Sequence, residues 1–174
     1  MNTNTPSPWI VRWAPLIADG RPVLDVAAGR GRHVELMAGR GHPVTAVDRN
    51  VSALVERFGA APDGIRIIDA DLEGGRPWPL PGETFAAVIV TNYLHRPLFA
   101  DLLAALEPGG VLLYETFMVG QERHGKPTNP DFLLRDGELL DVARAGGLSV
   151  VAYEAGPEPE PRPAVRQRIA ARRR

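Results

Sequence analysis

Short apolar runs alternate with segments of helical periodicity along almost the whole chain, and this alternation restricts the fold more than any other feature. It predicts an α/β, Rossmann-like, doubly wound and mostly parallel sheet with right-handed crossovers. We expect about seven strands, the last of them an antiparallel edge strand. The predicted strands are 23–26, 44–47, 65–68, 85–90, 111–117, 148–153 and 164–170.

The segments between these runs predict the helices and the domain limits. Val51, Leu54, Val55 and Phe58 have the spacing of one helix, and a helix from Pro97 to Leu106, before the turn at 107–110, is a second. Asp136 is a candidate cap for another helix, and 119–135 is a candidate lid loop. We interpret 1–174 as a single domain, with 1–15 as an N-terminal extension and the proline-rich 156–163 as a connector to the last strand.

Composition excludes several classes of protein. The chain has no cysteine, so we predict no disulfide framework and no thiolate metal site; no other metal site is predicted. No apolar run approaches the roughly 18 to 20 residues that cross a bilayer, and the N-terminus lacks a secretory pattern. We therefore expect a cytoplasmic protein that does not contact a membrane.

Charge gives little support for nucleic-acid binding, because the net charge is −1. An arginine-rich tail could still contact nucleic acid, although the single lysine of the chain favours base composition of the genome as its explanation. The tail arginines are Arg162, Arg166, Arg168, Arg172, Arg173 and Arg174.

A glycine-bearing turn follows the first strand directly. Gly29 and Gly31 let the backbone turn sharply beside a ligand, or they simply form a tight turn between strand and helix. Asp48, which ends the second strand, can accept both hydroxyls of a ribose, or it caps the following helix. Asp25 precedes the turn, where a carboxylate would repel a pyrophosphate but attract the cationic sulfonium and ammonium groups of S-adenosylmethionine. Val34 stands where a dinucleotide fingerprint needs its third glycine. The turn thus favours S-adenosylmethionine over a nicotinamide dinucleotide.

Over residues 23–153 the chain resembles the class I S-adenosylmethionine-dependent methyltransferases. DVAAGRG is similar to their motif I, and VDRN, DADLE, PWPLPGETFAAVIVTNYL and LEPGGVLLYE follow in order. The resemblance implies S-adenosylmethionine as cofactor and assigns roles to matching residues. Around the methionine moiety it places Asp25, Ala27, Gly29 and Gly31; around the ribose, adenine and methyl group it places Asp48, Asp71, Leu72 and Asn92.

Some of these assignments have alternatives. Asp69 and Asp71 differ by two residues and point the same way, and we favour Asp71 at adenine because it lies nearer the carboxyl end of the strand. Ala27 replaces the usual first glycine of motif I. Arg32 is a candidate partner for the cofactor's carboxylate or for an anionic substrate, or it is a solvated residue at a helix start.

The acceptor side is less defined, because methyl transfer needs a general base only if the acceptor holds its proton. His95 could take that proton, or be a helix-start residue bonded to backbone. Glu115 could orient a cationic or hydroxyl acceptor, or satisfy backbone donors. In size and in its GRGRH, NYLHR and YETF elements, the chain resembles small methyltransferases of the tellurite-resistance and thiopurine type.

We therefore expect a methyltransferase acting on a small-molecule acceptor. The alternatives are an RNA methyltransferase, a nicotinamide-dependent oxidoreductase and a noncatalytic protein that binds S-adenosylmethionine. The sequence predicts neither the acceptor atom nor the oligomeric state.

Overall fold

A seven-stranded mixed sheet forms the centre of the structure, a computed structural model that describes residues 4–60, 62–158 and 163–174. The strand order is β3-β2-β1-β4-β5-β7-β6. The strands are β1 (Val23–Val26), β2 (Val44–Asp48), β3 (Ile65–Asp69), β4 (Phe85–Thr91), β5 (Leu106–Phe117), β6 (Leu148–Glu158) and β7 (Ala164–Arg173).

The first five strands run parallel to one another, as the sequence predicts. The predicted antiparallel strand is β7, which pairs antiparallel with both β5 and β6. It lies one position inside the sheet, however, and β6 occupies the edge. The polypeptide reaches that edge first and returns through β7, which fills the space beside β5.

Helices cover both faces of the sheet, which confirms the doubly wound arrangement. One face packs against α1, α2 and α3, and the other against α4 and α5, and each face has its own cluster of buried apolar side chains. The helices are α1 (Pro8–Trp13), α2 (Arg32–Ala38), α3 (Ser52–Phe58), α4 (Phe99–Ala104) and α5 (Glu138–Ala145), with short 3-10 turns at Ala14–Leu16, Arg96–Leu98, Gln121–Arg123 and Pro130–Phe132. None of the described helices is long and apolar enough to cross a membrane.

The segment expected as an N-terminal extension contributes to the core. Ser7 caps α1 by accepting a hydrogen bond from the Trp9 backbone N–H. Trp9 and Ile10 are buried in the cluster on the α2 side. This packing was missed because α1 is too short to show a helical period.

Several predicted boundaries are wrong. β5 begins at Leu106, so the turn predicted at 107–110 is an irregular part of this strand. Residues 156–158 of the expected connector extend β6, where Pro157 is tolerated because β6 is an edge strand; residues 159–162 lie outside the described chain. Asp136 does not cap α5, because Gly137 occupies that position with a left-handed φ of 69°.

Candidate active site

An open pocket lies at the carboxyl ends of the central strands. It adjoins β1 and β4, between which the chain reverses the direction in which it adds strands, and ligands of doubly wound sheets bind at this switch point. Three carboxylates line the pocket against one guanidinium, so its surface favours a cation over a phosphate. The lining residues are Ala27, Asp48, Arg49, Ala70, Asp71, Leu72, Glu73 and Tyr93.

Asp48 joins the end of β2 to the glycine turn. Its Oδ2 accepts a hydrogen bond from the Gly29 backbone N–H at 2.8 Å, and its Oδ1 accepts one from the Asn50 N–H at 2.9 Å. A carboxylate offers about four lone-pair sites, so both oxygens can accept further bonds from a ligand. Asp48 therefore fixes the turn and faces the pocket at the same time.

Asp25 is a buried carboxyl group with one unpartnered oxygen. It is 1% exposed, and its Oδ2 has no hydrogen-bond partner among the described residues. Burial raises the pKa of Asp25 to about 7; the charge of Arg32 lowers it and that of Asp48 raises it. A cation bound near this group would stabilise its ionised form.

Two residues beside the switch point are left-handed although they are not glycine. Ala27 has φ 54° and Asn92 has φ 55°. This conformation is costly for alanine, whereas asparagine adopts it more readily. Gly31 is left-handed as well, and a Cβ there would lie 2.5 Å from the Phe58 ring, so its absence of a side chain allows α2 to pack against α3.

Arg32 and His33 connect the glycine turn to the end of β4. An Arg32 Nη2–H donates to Thr91 Oγ1 at 3.3 Å, and His33 Nδ1 lies 3.5 Å from the same oxygen. His33 Nε2 accepts a hydrogen bond from the Ser7 backbone N–H. Burial, with a smaller effect of Arg32, lowers the pKa of His33 to about 3, so the ring is neutral and anchors the N-terminal segment.

Asp69 and Asp71, the two candidates for the carboxylate that binds adenine, differ in position. Asp71 and Leu72 line the pocket, and Asp71 Oδ1 accepts a hydrogen bond from the Glu73 N–H. Asp69 is the last residue of β3, opposite Asp48, and does not line the pocket. The geometry thus favours Asp71.

Two of the three predicted residues on the acceptor side, Asn92 and Glu115, have charged partners. Asn92 Oδ1 accepts a hydrogen bond from Arg166 at 2.5 Å, and Glu115 Oε2 accepts one from Arg168 Nε at 2.5 Å. Glu115 is 5% exposed, so it is an ion-pair partner rather than a solvated base. His95 precedes the turn Arg96–Leu98, and its ring does not cap that turn.

Family comparison addresses the same part of the chain. Residues 23–110, just over half of the sequence, match the family model described as "Methyltransferase domain". The chain belongs to this family. No curated protein matches its sequence.

Solved structures with this fold include several methyltransferases. TehB from Haemophilus influenzae aligns with a TM-score of 0.78 at 18% identity, over 99% of this chain and 64% of the TehB chain. The 1,6-didemethyltoxoflavin-N1-methyltransferase of Burkholderia thailandensis, solved with its acceptor and S-adenosylhomocysteine, aligns at 0.68 and 22% identity, over 95% and 76% of the two chains. An S-adenosylmethionine-dependent methyltransferase from Mesorhizobium loti aligns at 0.72 and 17%, over 94% and 96%.

The family match confirms the methyltransferase class, and the structural alignments confirm the fold class. Two features of the site fit S-adenosylmethionine, the cofactor that the sequence resemblance implies: the unpartnered buried oxygen of Asp25, which a cation would compensate, and the open space beside Gly29. Four of the cofactor residues predicted from sequence line one pocket, namely Ala27, Asp48, Asp71 and Leu72.

Sequence reasoning missed other residues of the site. Arg49 directly follows Asp48, and Glu73 directly follows Leu72, so sequence reasoning placed both near the site without naming them as site residues. Thr91, Arg166 and Arg168 gave no local signal. Their roles depend on pairing between β4, β5 and β7, which are distant in sequence.

Proposed function

We propose that the methyltransferase transfers a methyl group from S-adenosylmethionine to a small-molecule acceptor at the switch point of the sheet. The observation that supports the proposal is an acidic pocket next to the glycine turn. The strand before this turn, β1, holds the buried carboxyl group of Asp25, which has an unpartnered oxygen. Such a site suits a ligand that combines a ribose and adenine with positive charge, and it does not suit a pyrophosphate.

The proposed roles of the cofactor-binding residues follow from the geometry of the site. Asp48 would hold the ribose hydroxyls while it keeps the turn closed through the Gly29 N–H, and Asp71 with Leu72 would hold adenine. Asp25 would neutralise positive charge from beneath the turn. Arg32 would hold the cofactor's carboxylate from its place beside Thr91.

The bound cofactor supplies an electrophilic methyl group on a cationic sulfur. The protein's contribution is therefore to align the acceptor with that methyl and to exclude water. Asn92, at the end of β4, would line this region. His95 and Glu115 remain the candidates for contact with the acceptor, with His95 the candidate base because Glu115 is bound to Arg168.

A small acceptor is favoured over RNA by the places of the tail arginines. An RNA-binding face needs several exposed guanidinium groups that can meet phosphates, and in the described tail only Arg172 and Arg174 are exposed. Arg172 donates to the Leu16 carbonyl, Arg173 to the Leu103 and Leu106 carbonyls, and Arg174 to Ser149 Oγ. The acceptors named for two structural neighbours, 1,6-didemethyltoxoflavin and a glycopeptide, are also not nucleic acids. We further propose a cytoplasmic location, which cell fractionation would test.

The donor site is tested by Asp48→Ala, with Asp69→Ala as matched control. Both changes remove a carboxylate from the end of neighbouring paired strands, but only Asp48 lines the pocket. Calorimetry with S-adenosylhomocysteine should show affinity at least about tenfold weaker for Asp48→Ala, since hydrogen bonds to a charged group are lost. A loss within a factor of about two, or an equal loss in both variants, would place the ribose elsewhere.

The acceptor is tested by a methylation screen with labelled cofactor over thiols, selenite, tellurite, small phenols and transfer RNA. Label transfer to a small molecule supports the proposal. Transfer to RNA alone, with binding that weakens steeply in salt, would contradict it. Thermal stabilisation by NADH but not by S-adenosylhomocysteine would contradict the donor assignment.

A further inference from the structure

A charged cluster lies on the acceptor side of the sheet, at the carboxyl ends of β5 and β6 and the start of β7. It contains the two arginines Arg166 and Arg168 and the two glutamates Glu115 and Glu158. Arg166 also donates to Asn92 at the end of β4, which ties the cluster to the candidate methyl-transfer region.

Both arginines converge on one carboxylate. Glu158 Oε2 accepts a hydrogen bond from Arg166 Nε at 3.1 Å, and Glu158 Oε1 pairs with Arg168 Nη2. One oxygen thus meets each guanidinium. Arginine side chains also pair in this charge-assisted way with the carboxylate of a ligand.

Strand register does not dictate this convergence. Glu158 pairs with Ala164 across the β6–β7 hairpin, and Arg168 lies four residues further along β7, which is about 13 Å of extended chain. Glu154, directly opposite Arg168, bonds Arg12 instead. Glu158 and Arg168 therefore lean toward each other along the sheet to share the site with Arg166.

The four side chains differ in depth. The side chains of Arg166, Arg168 and Glu115 are 8%, 15% and 7% exposed, whereas that of Glu158 is 30% exposed. Arg166 is also fixed by its guanidinium, which stacks 4.0 Å above the centre of the Phe117 ring. Glu158 is the outermost member, so it can leave while the other three keep their places.

Charge balance determines what could replace it. With Glu158 the cluster is formally neutral, and without that carboxylate two guanidinium groups face a single glutamate. A neutral or cationic replacement would leave a half-buried positive charge uncompensated, which is costly. A carboxylate would restore both charge and hydrogen bonds.

We propose that Arg166 and Arg168 form the binding site for a carboxylate group of the methyl acceptor, and that the Glu158 side chain competes for this site. The proposal rests on the proposed function, because it places the acceptor beside Asn92. It narrows the substrate class to small molecules that carry a carboxylate apart from the atom that is methylated.

The test compares Glu158→Gln with the wild type in calorimetric titrations at constant ionic strength, using benzoate as probe and benzamide as its neutral counterpart. Glu158→Gln should bind benzoate several-fold more tightly, because its side chain no longer competes as an anion. Adding Arg168→Gln to that variant should weaken benzoate binding about tenfold, the effect of losing a charged hydrogen bond. Benzamide binding should not follow this pattern.

Glu154→Gln is the matched control, since it removes a carboxylate from the same strand without touching Arg166 or Arg168. It should leave benzoate affinity unchanged. If Glu158→Gln binds benzoate no more tightly than the wild type, or Glu154→Gln gains as much, the proposal is overturned.

Each titration is run with and without S-adenosylhomocysteine. Failure of every protein to bind S-adenosylhomocysteine would contradict the proposed function alone, because the benzoate series is judged separately. Urea unfolding of each variant identifies any loss of fold, and Arg168→Lys serves in place of Arg168→Gln if the latter does not fold.

Discussion

Replacement of Asp25 by asparagine tests the electrostatic argument on which the donor site depends. Burial raises the pKa of this carboxyl from 3.8 to about 7, a difference of about three pH units. Each unit corresponds to 1.36 kcal/mol. Ionising Asp25 therefore costs about 4 kcal/mol more in the folded protein than in the unfolded chain. Asparagine has nearly the same shape and does not ionise.

The sign of the effect follows from proton binding. Between about pH 4 and pH 7 the folded protein holds the Asp25 proton more tightly than the unfolded chain does, so the free energy of unfolding falls as pH rises through this range. His33 acts in the opposite direction: burial lowers its pKa to about 3, so its contribution to stability is lost as pH falls below about 6.5. A difference between Asp25→Asn and the wild type cancels the His33 contribution.

Urea unfolding at several pH values between about 4 and 8 measures that difference. The stability of Asp25→Asn relative to wild type should rise with pH by up to about 4 kcal/mol and level off above about pH 7. Burial of the amide adds a constant offset that does not affect the slope. Asp69→Asn, which removes an exposed carboxylate at the end of β3, serves as the control. If the difference in free energy of unfolding between Asp25→Asn and the wild type does not change with pH, the raised pKa assigned to Asp25 is wrong.

Binding of S-adenosylmethionine gives a second readout of Asp25. A cation favours the ionised carboxylate, so wild-type affinity should rise with pH toward about 7 and remain constant above it. Asp25→Asn should bind more weakly above that pH and lack this dependence. Wild-type affinity in Asp25→Asn at pH 8 would show that the charge of Asp25 does not hold the donor.

Two further predictions concern strain and a buried ion pair. Ala27→Gly should raise the free energy of unfolding by about 1 kcal/mol, because the backbone of Ala27 is left-handed. Ala28→Gly, at a buried neighbour without positive φ, should lower the free energy of unfolding. Equal effects of the two changes in thermal unfolding would contradict the assigned strain at Ala27. Arg96→Gln should lower the free energy of unfolding by about 2 kcal/mol, because two charged hydrogen bonds to the buried Glu138 are lost while Arg135 remains its partner. Arg144→Gln, in an exposed pair, should cost under about 1 kcal/mol, and urea unfolding that shows equal losses would refute the role of burial.

The central strands could be predicted from sequence because they are buried on both faces. Such strands form continuous apolar runs, and β1, β2 and β4 begin where their runs begin. The glycine turn was equally accessible, since Asp25, Gly29 and Asp48 signal it through residue type and spacing alone. Local signals therefore located the donor side.

Elements whose form depends on distant partners could not be predicted in the same way. β5 extends back to Leu106 because that residue pairs with Phe85, and glycine and proline in between suggested a turn. β6 extends to Glu158 because β7 pairs with it along its whole length. Neither pairing partner can be recognised from the segment itself.

The acceptor side shows the same limit most clearly. Arginine at every second position of a strand places its guanidinium groups on one face, but the sequence does not tell which face or which neighbours. Because β7 lies between β5 and β6, Arg168 meets Glu115 from one strand and Glu158 from the other. At the edge of the sheet, the position expected from sequence, Arg168 would lack one of these two neighbours. Composition alone explains these arginines as a bias of base usage. The order of the last two strands is what brings them together as the proposed anion site.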